Sequence, residues 1–474
     1  MIGGGTVDEG EPGSLVGIWG LAMVHSRRFL FIAFAFAVMA DPVSSVAYAI
    51  EAALRALGGR LDLLLPTMLL VVAIIALVIV NYWFLIARFP RGGGDAAAAA
   101  QAFGDAWAFP PMGALIVDFA LTIAISVAAA SSAIISYVPG LSSWRLPLAL
   151  GLCALVAGVT WFGHLGRLLF AAFTLMFLVA AGVVILRGWI DPVTVRPAPA
   201  SHGSGHTALA AVVLAFPVAM ALATGVEAPL TAIAQLGQLE DRDRRRFGRG
   251  TLALTVGIVG VLTLSLTALA AHLGVGIPAS GATQMANVAR AAAGDGAAYA
   301  LFQASSAILL LSAASSSFAA GPGLLRALSR APGNPLGILP ASFGRTNSHH
   351  TPYWAVLAFL ASAGAVVVAA GGREQELVLF YAVAVFVSFL TGLLAMARFS
   401  LREGKRFLLA VNCVAVLSVS FTLLVNLGRG YPLASLAAAL LIAGALYALW
   451  VRAGRPRGIA EAERLAEAER LAEA

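Results

Sequence analysis

The sequence predicts an all-α polytopic membrane protein of about twelve transmembrane helices. These form a 5+5 inverted repeat whose first and sixth helices are discontinuous. Three observations predict this. The 474 residues are 60% hydrophobic and 11% charged, with a mean hydropathy of +0.91, so a soluble domain would expose far too much apolar surface. The apolar residues fall in runs of about 20, which suits bilayer-spanning helices and not the ten-residue alternation of a barrel. Two of these runs, the first and the sixth, carry polar breaks near their middles, as the discontinuous helices of secondary transporters do.

In chain order, residues 1–28 are expected to form a cytoplasmic N-terminus. The first repeat, 29–187, holds spans 29–56, 62–87, 112–137, 146–163 and 166–187. The second repeat, 208–398, holds 208–236, 251–271, 298–320, 352–370 and 377–398. Spans 407–426 and 431–451 follow, and residues 452–474 form a charged cytoplasmic tail that repeats AEAERL. The repeat is supported by an echo. Ala35-Phe36-Ala37-Val38 precedes Asp41, and Ala215-Phe216-Pro217-Val218 precedes Thr224-Gly225-Val226-Glu227. Between spans, RGGGDAAAAAQAFGDA (91–106) reads as a low-complexity cytoplasmic link and 191–207 as a Pro/Ser/Gly-rich outer loop.

With the N-terminus inside, 22 of the 30 basic residues fall on the inner side, the cluster Arg242/Arg244/Arg245/Arg246/Arg249 among them. The excess places both termini in the cytoplasm. It also explains the net charge of +7 as a topogenic signal, so no nucleic-acid partner is expected and the lipid bilayer is the expected surroundings. Cys153 and Cys413 sit inside apolar runs and read as small core residues. The Gly-rich, acidic start lacks a basic n-region, so no cleaved leader is expected. No HExxH, GxSxG or phosphate-loop motif occurs, and the chain reads as a non-enzyme without cofactor. His202 and His206 in SHGSGH could bind a metal, but a Gly/Ser-rich loop more often is simply solvated.

The chemistry lies in AFAVMADPVSSVAYAIEAAL (35–54). A carboxylate near mid-membrane costs about 2.5–3.5 kcal/mol on insertion scales. Pro42 removes a backbone donor and disfavours helix at Asp41. A span with only a structural duty has no use for both defects, so Asp41, Ser44, Ser45 and Tyr48 are candidates for a buried polar site. In the third span Asp118, Thr122 and Ser126 recur at i, i+4, i+8 and share one helix face. The sixth contributes Thr224 and Glu227 around Gly225, and the tenth Tyr381. A lone Ser or Thr in a span usually bonds its own i−4 carbonyl, and a lone Tyr usually anchors at the interface. Two intramembrane acids, Asp41 and Glu227, with no Lys or Arg near a span centre, instead imply a bound cation, a proton, or both. Oxygen-only donors suit hard ions, and weak, mostly neutral oxygens suit a monovalent one.

The segment Asp41-Pro42-Val43-Ser44-Ser45-Val46-Ala47-Tyr48 with Glu51 resembles the first helix of KimA-type potassium uptake proteins. These are close to the Kup transporters of the LeuT-like amino acid–polyamine–organocation (APC) superfamily. Thr224-Gly225-Val226-Glu227-Ala228 resembles that family's sixth-helix motif. Asp118-Phe119-Ala120-Leu121-Thr122 with Ser126, 301–343, and Tyr381 through Phe389 are similar to its other segments. The resemblance implies potassium ligands at Asp41, Tyr48, Thr122, Ser126, Thr224, Glu227 and Tyr381, with Asp41, Glu227 and Asp118 as candidates for proton coupling. It further implies potassium and protons as transported species, a bacterial plasma membrane, and a homodimer. The Asp41-Pro42 pair is also similar to the Asp-Pro of Nramp-type divalent-metal carriers, but the Asn and the Met beside Pro or His that those need are not matched here.

The function expected is therefore potassium import by proton symport with alternating access. An amino acid or amine permease of the same fold is the alternative, an amino acid being disfavoured because Asp41 would repel its carboxylate. A divalent-metal carrier and a membrane sensor that binds the ion without moving it are the remaining readings.

Overall fold

The computed structural model describes residues 27–163, 166–195, 207–233, 236, 239–279, 281–330, 337–428 and 433–458, with the side chains of Arg167 and 381–384 outside that description. The expected N-terminal segment up to 26, the SHGSGH loop and the AEAERL tail lie outside the described residues. Among those described, the fold is helical throughout, apart from one isolated bridge between Ser329 and Leu339.

In chain order the helices are α1 (Arg27–Val38), α2 (Ala40–Ser44), α3 (Val46–Ala56), α4 (Leu61–Arg88), α5 (Gly94–Phe103) and α6 (Phe109–Tyr137). Then come α7 (Arg145–Trp161), α8 (Arg167–Ile190), α9 (Ala208–Ala219), α10 (Ala228–Ala232) and α11 (Asp241–His272). The last are α12 (Gln284–Ala293), α13 (Ala297–Ala327), α14 (Tyr353–Ala369), α15 (Glu374–Arg402), α16 (Arg406–Leu427) and α17 (Leu433–Arg452). Among the described residues, ten helical stretches are long and apolar enough to cross a membrane. The two remaining spans expected from the sequence fall on α14, which is 17 residues long, and on the interrupted run α1–α2–α3.

α6 is the axis of the bundle. Its span has 83% of its apolar window buried, against 28% for each of the last two spans, and it packs on α13, α15, α17, α7 and α14. Close approach is bought with small residues, as lipid-embedded interfaces require: a β-carbon at Gly113 would lie 2.4 Å from the Ala439 carbonyl oxygen of α17.

The low-complexity link 91–106 is largely helical. Gly92, Gly93 and Gly94 take positive φ, and the alanine run that follows forms α5. Alanine is the strongest helix former and its small side chain lets α5 lie close against α15. Low sequence complexity here reflects close packing. A second short helix that periodicity alone did not predict, α12, caps with Thr283 accepting from the Ala286 amide and packs on α8 and α13.

Candidate functional site

The two interrupted spans break to different degrees. In the sixth, Pro217 leaves α9 without one backbone donor, the chain tightens to a 3-10 turn over Met220–Ala223, and Thr224 is extended (φ −54°, ψ 131°). Gly225 follows at φ +73°, a conformation that costs glycine nothing and other residues strain. α10 then begins with Pro229 in its first turn. The freed groups are partly retied: Thr224 Oγ1 donates to the Ala221 carbonyl (2.6 Å), and Asn426 of α16 donates to the Pro217 carbonyl (3.1 Å).

The first span yields less. Met39 (φ −72°, ψ −14°) and Ser45 (φ −64°, ψ −23°) punctuate it, yet both keep helical dihedrals, so it is kinked there and not unwound. Pro42 sits early in a five-residue helix, where its missing N–H is tolerated. Ser44 Oγ donates to the Asp41 carbonyl (2.7 Å). Ser45 Oγ faces the Pro42 carbonyl (2.7 Å) and, across the gap, the Leu222 carbonyl of the sixth span (3.1 Å). That contact ties the two breaks together.

Asp41 and Gly225 meet at the junction. A β-carbon built on Gly225 would lie 2.6 Å from Asp41 Cγ and 2.8 Å from its Oδ2, so the carboxyl occupies the space that a side chain at 225 would need. Tyr48, buried about two turns further along, lies against Thr224 and within electrostatic range of Asp41 and Asp118. Glu227 lies within the same range of Asp118 and Asp41. Asp118, Thr122 and Ser126 are all buried on α6, as their shared face requires.

Asp41 Oδ1, Glu227 Oε2 and Ser126 Oγ are buried with no hydrogen-bond partner among the described residues, and neither Asp41 nor Glu227 forms an ion pair there. Buried carboxylate oxygens are costly without partners, so these are the oxygens with lone pairs to spare for a cation. Ser44 and Ser45 have already committed their hydroxyl hydrogens to backbone carbonyls. Tyr381 belongs to α15 by register, but its side chain lies outside the described residues.

Glu51, the other acid of the first span, is separate from this junction. It is buried, and Arg55 Nε (2.8 Å) and the Gln284 amide (2.8 Å) both donate to it. Nearby Ser132 Oγ donates to Glu374 (2.5 Å), and Arg145 donates to Ser132 Oγ (2.6 Å). These contacts close one end of the bundle with protein–protein hydrogen bonds.

Sequence reasoning missed Asp95. It is buried in the first turn of α5, where Tyr82 OH of α4 and Ser388 Oγ of α15 both donate to its Oδ2 at 3.1 Å. It also lies within electrostatic range of Glu227. The one available signal was an acid inside an alanine run, and the partners that give it meaning are 13 and 293 residues away.

The family model for amino acid permease matches residues 29–457. The chain is 28% identical over 361 residues to the potassium transporter KimA of Bacillus subtilis (strain 168), an alignment that covers 74% of this chain and 58% of that protein. The chain thus spans less than two thirds of that relative's length.

Proposed function

The chain belongs to the amino acid permease family, and from that premise we propose that it carries potassium across the plasma membrane, coupled to protons. The observation that carries the reading is the Asp41 carboxyl set against Gly225, where the two interrupted spans meet, with no basic side chain paired to it among the described residues. Carboxylate, hydroxyl and backbone carbonyl oxygens are the donors on offer from Asp41, Tyr48, Thr122, Ser126, Thr224 and Glu227. Such a mixed, mostly neutral shell suits a monovalent hard ion, which must also leave again. Among the described residues no three His, Cys, Asp or Glu side chains gather closely enough to hold a metal ion, so the chelation a divalent ion favours is not offered. The likeness to a potassium transporter supports the same cargo.

In this reading the ion sits between the breaks and the bundle alternates the side to which they open. Asp41, Glu227 and Asp118 share the counter-charge. In a symport cycle one of these carboxyls carries a proton inward beside the ion, and both are released on the same side before the empty site returns, so neither is carried back.

The test is rubidium or potassium uptake in a potassium-requiring strain and in proteoliposomes with and without a pH gradient. Asp41→Asn and Glu227→Gln are expected to lower uptake at least about ten-fold, the equivalent of about 1.4 kcal/mol of ion binding, while the protein stays in the membrane. Uptake undiminished in both variants removes these acids from the mechanism. An amine without a carboxylate fits the same charges, and the match to the amino acid permease family favours keeping it as the second reading. Competition of a labelled amine with rubidium separates the two: rubidium flux untouched by amines supports potassium.

A further inference from the structure

We propose that Asp95 is a positioning residue that holds α5 as a plug against the second half of the sixth span, and that its release opens the path from Glu227 to the arginine-rich end of the bundle. The inference rests on the transport reading above for its meaning, and on three observations for its geometry.

First, α5 starts where the sixth span resumes. A β-carbon at Gly94 would lie 3.8 Å from Leu230 and 3.9 Å from Thr231, so the first turn of α5 abuts α10, the helix that Glu227 precedes. Second, α5 separates two environments. Ala98, Ala99 and Ala102 are buried in the bundle, while Ala97, Ala100 and Gln101 line a cavity of about 460 Å³ with Arg88, Arg91 and Arg245. The positive-inside rule assigns that end to the cytoplasm. Third, the hold is polar. A run of five alanines buries little apolar surface per residue, so hydrophobic contact anchors the helix weakly. Asp95, in contrast, accepts from Tyr82 and Ser388, two different spans, at 3.1 Å each. Its carboxyl also enters the concavity that Gly392 leaves, close enough that any β-carbon at 392 would overlap it. A plug held by bonds from two different spans opens when they break.

Ser388 and Gly392 stand four positions apart on α15 and share one helix face, and both meet the Asp95 carboxyl. Movement of α15 about the site is thereby coupled to the Asp95 contact.

The test reads accessibility and not transport. In a chain with Cys153→Ala and Cys413→Ser, Thr231→Cys is labelled by a membrane-impermeant thiol reagent in inside-out vesicles. Adding Asp95→Asn is expected to raise the labelling rate at least ten-fold. The pair Tyr82→Phe with Ser388→Ala, which removes both donors and leaves the carboxyl in place, is expected to do the same, and it decides the matter if Asp95→Asn does not fold. Labelling unchanged in the folded variants overturns the plug, whether or not uptake falls. Because labelling requires no cargo, faster labelling in a protein that moves neither potassium nor amines would support the plug while refuting the transport reading.

Discussion

Gly225 is the residue on which the site geometry is most sharply dependent. Its φ of +73° is one that residues with a β-carbon adopt at a cost of roughly 1–2 kcal/mol. The added carbon would also strike the Asp41 carboxyl. Gly225→Ala is therefore expected to displace Asp41, to lower uptake at least ten-fold, and to do so with less loss of thermal stability than a core truncation, because the clash falls on one movable carboxyl. Uptake assays beside a melting curve check this; wild-type uptake would show that Asp41 has room to move without consequence. The same scale shows what a sequence discloses. Asp41 and Glu227 were legible because a charge in an apolar run is anomalous wherever its side chain points. Asp95 was not, because the stretch around it has the composition of a loop and its burial depends on Tyr82, Ser388 and Gly392 arriving from elsewhere in the chain.

At the scale of elements, most helix ends fell within a few residues of the apolar runs. But α11 begins at Asp241, before the expected 251, and α13 runs on to Ala327, past the expected 320, because charged or Pro/Gly-bearing turns extend both helices beyond their apolar stretch. The sixth span's break followed from Gly225 beside a polar pair. The milder form of the first break did not, since Pro42 signals a lost donor but not whether neighbouring serines retie the carbonyls, as Ser44 and Ser45 do. Nor did the pairing of α6 with α17, which the positions of small residues only hint at. That pairing has its own test. A β-carbon at Gly113 would meet the Ala439 carbonyl oxygen at 2.4 Å and the Ala443 nitrogen at 2.8 Å, both backbone atoms that cannot step aside. Gly113→Ala is expected to push α6 and α17 apart at a cost of about 1–3 kcal/mol, typical of overpacking. A lowered melting temperature in detergent, with ion binding weakened only modestly, is the expected outcome. An unchanged melting temperature would mean the two helices do not sit this closely.

Over the whole molecule, the buried carboxylates are a liability that a cation, bound as proposed, would relieve. Around the junction, Asp41, Asp118 and Glu227 repel one another in a low-dielectric interior, while the separate network of Glu51, Arg55, Glu374 and Arg145 closes one end of the bundle with its charges paired. A cation bound between the acids stabilises the folded state alone, because the unfolded chain has no such junction. The gain follows RT ln(1 + [L]/Kd), about 2.7 kcal/mol at a hundred times Kd. Potassium is therefore expected to raise the melting temperature of the detergent-solubilised protein in a saturable way, with an equal concentration of choline as the control for ionic strength. Protons compete for the same carboxylates, so the potassium-dependent rise should shrink as pH falls and the half-saturating concentration should increase. Asp41→Asn should remove most of the rise while leaving the choline baseline at or above wild type, since that variant discards a repelling charge. A rise that is equal in potassium and choline, or one that survives Asp41→Asn, would place the stabilising ion somewhere other than the meeting point of the two broken helices.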